Sequence, residues 1–503
     1  MGGLDVTQNK LMYSESNQVV RTGAKNPVGA VSASVSDGVA RAWACCRAGD
    51  WDEAERVLRQ ALATQPFQAE LATNLGAVLF EAGRYEGARD VLAAVLKRDC
   101  RFAPALYNLA NVELALGEAG AAATLFGQVA HAHPKWAPAF ANLGHALRLD
   151  GRLSEASAAL TRALVLNGAD ACAHYNLALV RLAQGRFAEA WPHYEWRIMQ
   201  QTGQDYVGDP RRPAVAMTRP SRSPAPPPTR QRVLILHDQG LGDELFFLRF
   251  AHAVKRPLDT WTYLTSPRFA PIAQQCAALD EVVSTLEEER VFDSVISIGD
   301  LPQWLNPDLP LPPPLTLNPN THEIARLQKL FANRPRPYLG LTWRAGIAPT
   351  RTRPNTVFKQ VDLSTLASAI RMWPGTLFIV QRDPQRNELN QLHALFGERV
   401  VDCSAMNNEL ETMTALLALL DTYVCVSNTN THLWAGLGRR GHVLVPRPAE
   451  WRWLAQGDQS PWFPLLHLYR QARDGDWVDA LDALRARIQY EFTARCESGL
   501  SCE

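Results

Sequence analysis

The sequence predicts an α-helical solenoid followed by an α/β region of two Rossmann-like halves. Three observations carry this reading: a glycine recurring every 34 residues, two proline-rich breaks, and short apolar runs that alternate with helical stretches beyond residue 232. The glycines are Gly49, Gly83, Gly117, Gly151 and Gly185, each followed five positions later by an alanine: Ala54, Ala88, Ala122, Ala156 and Ala190. Leu75, Leu109, Leu143 and Leu177 keep the same register, as do Leu58, Leu92, Phe126, Leu160 and Tyr194, while Pro66 and Pro134 close two of the units. Such a unit is a helix-turn-helix in which glycine ends the first helix and alanine lets the paired helices approach closely. One unit buries too little to stand alone, so about five stack over residues 38–205, with a concave face suited to a protein or peptide partner.

The order of the remaining segments follows from composition. Residues 1–37 are polar and rich in glycine and serine, and read as a flexible terminus. Residues 206–232 hold Pro210, Pro213, Pro220, Pro224 and the run Pro226 to Pro228 among arginines, which favours an extended linker. A first α/β half then spans 233–300, opening with Val233-Leu234-Ile235-Leu236, a Gly240-Leu241-Gly242 turn and a helix from Glu244 to Val254. A second proline-rich crossing covers 301–337, and a second half covers 338–492. Its strands are expected at Tyr338 to Trp343, Thr376 to Gln381, Arg399 to Asp402, Thr422 to Val426 and His442 to Val445. Residues 493–503 form a tail.

Charge and composition narrow the function. Fifty-one basic and 51 acidic side chains leave no net field, which disfavours a nucleic-acid partner. Nine scattered cysteines show no metal-binding spacing and fit a reducing compartment. No apolar run approaches the roughly 18 residues that span a bilayer. A cytoplasmic protein without a transmembrane segment, cofactor or metal is the expectation.

Gln239-Gly240-Leu241-Gly242-Asp243, with Phe246, Phe247, Arg249 and Phe250, resembles the glycine-aspartate turn of heptosyltransferase-like glycosyltransferases, especially bacterial ones with tetratricopeptide repeats ahead of the transferase. Ser427-Asn428-Thr429-Asn430-Thr431-His432, running on to Gly438, is similar to their donor-phosphate loop and helix. Glu450-Trp451-Arg452-Trp453, Ser460-Pro461-Trp462-Phe463-Pro464 and Gly475-Asp476-Trp477 add a third match. The resemblance implies a tetratricopeptide (TPR) solenoid joined to a GT-B unit, which would take a nucleotide-sugar as co-substrate and give the sugar to a hydroxyl on a protein.

On that reading Asp243 is the general base that accepts the proton of the acceptor hydroxyl, while the alternative role for an aspartate here is to cap the following helix. Gly240, Gly242, Ser427, Asn428, Thr429, Asn430, Thr431 and His432 are donor-binding candidates, because a hydroxyl-rich helix start offers N–H groups and a positive dipole end to phosphate. The same Ser/Thr/Asn pattern also makes an ordinary N-cap, and His432 also suits helix packing. Lys359 and Arg382 are candidates to neutralise a diphosphate or are solvated cations, with Arg344 and Glu411 weaker and Asp238 a poorer base. The family's loop commonly has aspartate where Asn428 stands.

Asn74, Asn108, Asn142 and Asn176 recur at 34-residue intervals. They resemble the asparagine ladder of O-linked N-acetylglucosamine transferases, which implies acceptor-backbone binding; the plainer reading is consensus usage within the repeat. Two other functions stay open: a non-catalytic scaffold with a sugar-nucleotide-binding domain, and a transferase acting on lipid-linked or polysaccharide intermediates.

Overall fold

Paired helices fill the N-terminal third, as the 34-residue period requires. The computed structural model describes residues 33–65, 68–197, 230–287, 290–346, 358–473 and 475–497. The first 32 residues, Pro66, the Pro/Arg-rich segment as far as Thr229 and the last six residues of the tail lie outside the described residues. The helices are α1 (Ala33–Arg47), α2 (Trp51–Thr64), α3 (Ala69–Glu81), α4 (Tyr85–Leu96), α5 (Ala103–Ala115), α6 (Ala119–Ala132), α7 (Ala137–Leu149), α8 (Leu153–Leu166), α9 (Ala171–Ala183) and α10 (Phe187–Tyr194). The first begins at Ala33, five residues before the expected start.

The repeated residues do what their chemistry demands. All five glycines take φ between +73° and +88°, the left-handed conformation that ends a helix. Arg84, Glu118 and Arg152, each following a repeat glycine, donate their backbone N–H to the carbonyl five residues back at 2.8–2.9 Å, which satisfies an otherwise orphaned helix end. The five register alanines are fully buried, as are Leu58, Leu92, Phe126 and Leu160.

Beyond residue 230 every strand of the two main sheets is parallel. The first sheet has the order β3-β2-β1-β4, formed by β1 (Arg232–Leu236), β2 (Thr260–Leu264), β3 (Glu281–Val283) and β4 (Ser294–Ser297). Its helix α11 (Leu241–Leu248) starts within the glycine turn, three residues before the expected Glu244 because Gly240 is the N-cap, and α12 (Ala251–Val254) completes the helical stretch.

The second sheet has the order β12-β11-β10-β5-β8-β9. Its strands are β5 (Leu339–Thr342), β8 (Leu377–Ile379), β9 (Val400–Asp402), β10 (Thr422–Val426), β11 (Gly441–Val445) and β12 (Leu466–Arg470). A small antiparallel pair, β6 (Arg344–Gly346) and β7 (Phe358–Gln360), follows β5. After α12 come α13 (Ala270–Ala273), α14 (Thr321–Leu330), α15 (Leu363–Ala369) and α16 (Arg386–Phe396), followed by α17 (Leu410–Leu419), α18 (Thr429–Gly436) and the closing α19 (Val478–Glu497). The proline-rich crossing at 301–337 is not a bare linker. It contains a helix, Thr321–Leu330, because Asn320 caps the chain there and accepts hydrogen bonds from the N–H groups of His322 and Glu323.

The chain forms two compact units, and their border differs from the one the linker suggests. One holds the described residues up to Arg181 with Trp196 and Arg197; the other holds Leu182–Glu195 and everything described from Arg230 on. The last repeat helix therefore belongs to the α/β unit. Trp191 and Tyr194 are almost fully buried there, with ring centroids 5.8–6.3 Å from those of Phe247, Phe250, Trp451 and Trp462. The Ala455 N–H also donates to the Ala183 carbonyl at 3.0 Å.

This packing sets an expectation for truncation. A fragment beginning at Leu182 should unfold cooperatively, whereas one beginning at Tyr206 should be markedly less stable. Trp191→Ala should cost about 3 kcal/mol or more in the longer fragment, the usual penalty for emptying a large buried aromatic site. Denaturant unfolding of the three proteins checks this, and equal stability would return the border to the proline-rich segment.

Candidate functional site

The strongest site follows from topology. In parallel sheets the loops after the strands gather at the carboxyl edge, and ligands bind where the chain leaves a central strand in opposite directions. Here β1 lies between β2 and β4, and β5 between β8 and β10. A cavity of about 500 Å³ is lined by residues that follow β1, β5, β8, β10 and β11. Gly240, Gly242, Asp243, Lys359, Arg382, Ser427, Asn428, Thr429, Asn430 and His432 all line it. Thr431 does not, nor do Glu411 and Asp238.

The glycine turn positions Asp243. Gln239 sits at φ +63°, Gly240 caps α11, and the Asp243 carboxylate accepts the Gly240 N–H at 3.2 Å. Asp243 is thus not the N-cap of a helix from Glu244: it is the third residue of α11 and reaches back to the N–H of the capping Gly240. The other carboxylate oxygen pairs with the guanidinium of Arg452. Beneath the turn, Glu244 is buried and accepts from the hydroxyls of Tyr263 at 2.6 Å and Thr265 at 2.5 Å, while burial pushes its carboxyl above the usual range. Asp238 is buried too and accepts from Ser297 Oγ at 2.8 Å, which makes it a packing carboxylate.

The loop after β10 is a reciprocal cap. Asn428 Oδ1 accepts the Thr431 N–H and Thr431 Oγ1 accepts the Asn428 N–H, both at 3.2 Å. The amide nitrogen of Asn428 donates to the Val426 carbonyl at 2.7 Å, a bond that carboxylate cannot make. Asparagine therefore makes a bond in this cap that an aspartate at the same position would forgo. Asn430 is buried and donates to Asn407 Oδ1 at 3.0 Å. Thr431, fully buried, serves the cap rather than the cavity. Thr429, half-buried at the first turn of α18, stays on the cavity wall.

His432 is buried, and its Nδ1 has no hydrogen-bond partner among the described residues. Burial and then the charge of Arg452 hold it well below the usual histidine range, so it is neutral. A side chain at Gly242 would press to 3.3 Å from the His432 ring, so only glycine leaves this approach undisturbed.

The candidate cations divide. Lys359 is buried and pairs with Glu450 at 3.0 Å, whereas Arg382 is exposed and lies 3.5 Å from Asp383. Arg344 is tied to Glu388 at 2.8 Å and to the Asp383 carbonyl at 2.7 Å. Sequence alone misses several cavity residues as functional positions: Glu450, Arg452, Arg268, Gln381 and Asn407. For Glu450 and Arg452 the signal is the tryptophan-rich tail motif, which locates them without revealing their partners. Burial alone would raise the Glu450 carboxyl, but Lys359, Arg452 and a hydrogen bond from Ser427 hold it down at about 2. The cavity is lined by Arg268, Arg344, Lys359, Arg382 and Arg452 with Asp243, Asp383 and Glu450, and because Arg344 is already neutralised by Glu388 the lining keeps an excess of one positive charge.

The asparagine row is not the open ladder expected. Asn74, Asn108, Asn142 and Asn176 are at most 4% exposed. Asn74 and Asn176 donate to the carbonyl four residues back in their own helices, at Glu70 and Cys172, while Asn142 donates to Tyr107 Oη at 2.8 Å and Asn176 Oδ1 accepts from Arg148 Nε at 3.0 Å, both partners lying in the preceding repeat. An acceptor backbone would have to displace these bonds.

Two sequence families match the N-terminal region. Tetratricopeptide-repeat profiles cover residues 46–100 and 79–145, and a second such profile covers 141–195. This region is thus a TPR array, the kind of structure that supports a protein-interaction scaffold role. The chain is also similar to protein FlbA of Caulobacter vibrioides (strain ATCC 19089 / CIP 103742 / CB 15), 25% identical over 466 residues, or 86% of this chain and 74% of FlbA. Among solved structures it is similar to MamA 41-end from Desulfovibrio magneticus RS-1, with 24% identity over 35% of this chain and 99% of that one at a TM-score of 0.32. A second is TTC0263, a thermophilic TPR protein of Thermus thermophilus, with 21% identity over 34% of this chain and 93% of that one at a TM-score of 0.29. Among the described residues no helix is long and apolar enough to cross a membrane.

The charge network gives the site a pH signature. The Glu450 carboxyl lies near 2 in the folded chain against an ordinary value of 4.5, so its stabilising contribution is complete above about pH 4.5 and is lost as pH falls towards 2. Glu450→Gln should remove that part of the acid sensitivity while lowering stability at neutral pH, where Lys359 loses its charged partner. Unfolding curves of both proteins from pH 7 to pH 3 test this, and parallel acid profiles would show that Glu450 is not held ionised.

Proposed function

We propose that the α/β unit binds the phosphate of a nucleotide-sugar and transfers its sugar to a hydroxyl, and that the TPR array presents the protein carrying that hydroxyl. The carrying observation is the cavity at the carboxyl edges of the two parallel sheets, with its positive excess and the start of α18 on its wall. Phosphate would sit against the Thr429 and Asn430 N–H groups with Lys359 nearby, and Arg382 would close from the exposed rim. In such a transfer the acceptor oxygen forms a bond to the anomeric carbon and the bond from that carbon to the phosphate oxygen breaks, its electron pair leaving on the phosphate. The acceptor proton passes to Asp243.

A second reading has its own support. Asp243 is occupied by the helix cap and by Arg452, which suits a scaffold that binds a sugar nucleotide without turnover. The TPR array and the similarity to FlbA agree with either reading. The two separate in one comparison, in which nucleotide-sugars are screened by thermal stabilisation and the binder is then assayed for transfer.

On the transferase reading Asp243→Asn, which keeps the cap, should lower transfer about 100-fold or more without weakening donor binding. Lys359→Met should weaken donor binding about tenfold. Full transfer by Asp243→Asn places the base elsewhere, and tight binding with no transfer by the wild type establishes the scaffold.

A further inference from the structure

Arg452 is unusual among the cavity's cations. Like Lys359 it is only 8% exposed and lines the cavity, but unlike Lys359 it keeps a buried donor without a partner among the described residues. Its guanidinium carbon lies 4.7 Å from the ring centroid of Phe246 and 4.6 Å from that of Trp451, and its carbonyl accepts Ser460 Oγ at 2.6 Å, so its backbone is anchored and its head rests against two rings. The guanidinium has five N–H donors but a carboxylate on one side only, Asp243, and its buried Nε has no hydrogen-bond partner among the described residues. Glu450, two residues earlier, is engaged instead by Lys359 at 3.0 Å and Trp453 Nε1 at 3.2 Å. A buried cation with an unmet donor lacks a second acceptor. The neutral His432, with its own unpartnered Nδ1, lines the same cavity.

Resting on the phosphate-binding reading above, we propose that Arg452 is a positioning residue shared between Asp243 and the bound donor phosphate. Paired with Asp243, it masks the carboxylate. Phosphate arriving at the start of α18 competes for the same guanidinium, draws it away and leaves the Asp243 oxygen open to the acceptor hydroxyl. The acceptor's proton then has a destination only after the donor is in place. The order of events is built into one side chain whose guanidinium redirects its N–H donors across the two rings while its backbone stays anchored.

Competition gives the test a sign. Inorganic pyrophosphate is titrated calorimetrically into the full-length wild type, Asp243→Asn, Arg452→Gln and the double variant at one ionic strength. Freeing Arg452 from Asp243 should tighten pyrophosphate binding by about threefold to tenfold, because the binding-competent arrangement no longer has to be won from a competitor. Arg452→Gln should weaken it about tenfold or more, and adding Asp243→Asn to Arg452→Gln should change affinity less than about twofold.

Equal tightening in both backgrounds would mean that Asp243 merely repels the anion, and unchanged or weaker binding by Asp243→Asn would mean that the pair is only a structural clamp; either result overturns the proposal. Absence of pyrophosphate binding in all four proteins instead removes the phosphate-site reading itself, and this inference with it. If Arg452→Gln does not fold, Arg452→Lys keeps the charge without the fork, and Asp243→Asn should then tighten binding less than in the wild type.

Discussion

Two buried arginines packed against one phenylalanine organise the α/β unit. Arg249 lies 4.3 Å and Arg452 4.7 Å from the Phe246 ring centroid, and both residues are at most 8% exposed. Burying two like charges together is costly, and burial followed by the neighbouring Arg452 pulls Arg249 well below the usual guanidinium range. The surroundings offset that cost. Arg249 donates to the Phe246 and Trp462 carbonyls at 3.0 and 2.8 Å and also stacks on Phe463, while Arg452 has the Asp243 carboxylate. Cation–π contacts strengthen when water is excluded, and the remaining rings exclude it.

Those rings come from three distant stretches of chain. Trp191 belongs to the last repeat helix, Phe246 and Phe250 to the first sheet's helical stretch, and Trp451, Trp462 and Phe463 to the loops between β11 and β12. Because Arg249 reaches the Trp462 carbonyl and Arg452 reaches Asp243, the helix after the glycine turn is tied to the tail of the second sheet at two points. The glycine turn is thus held both by packing and by a charge. Tyr194 adds a further link, since its hydroxyl accepts Gln239 Nε2 at 3.0 Å immediately before that turn.

How much of this can be read from sequence depends on distance along the chain. The 34-residue period, the glycine caps and the buried alanines are local chemistry, and the structure reproduces them repeat by repeat. Most strands of the second sheet fall where their apolar runs place them, whereas β12 escapes such a reading because Leu466–Arg470 mixes histidine and arginine with apolar residues. The Asp243 turn and the loop after β10 are legible as motifs, since each is one strand, one turn and one helix start. The Asp243–Arg452 pair is not, because 209 residues separate its members. The asparagine row fails differently. A fixed period gives the register of Asn142 but does not say that Tyr107, 35 residues earlier, turns its hydroxyl onto it.

The membership of Trp191 and Tyr194 in the α/β unit changes what the repeats can be. A solenoid joined through an extended linker is exchangeable, because its stability is a sum over repeats and their interfaces. Here the last helix contributes two nearly buried rings to the cluster that fixes the glycine turn, so its side chains answer to the α/β core as well as to the repeat pattern. Tyr194 shows both demands at once. It occupies the register held by Leu58, Leu92 and Leu160 in other repeats, yet its ring packs on Phe247 and its hydroxyl meets Gln239. A leucine there would satisfy the repeat but could not accept the amide proton of Gln239, whose backbone is strained at φ +63° one residue before the helix cap. The departure from the repeat consensus at this position is therefore explained by the turn it supports.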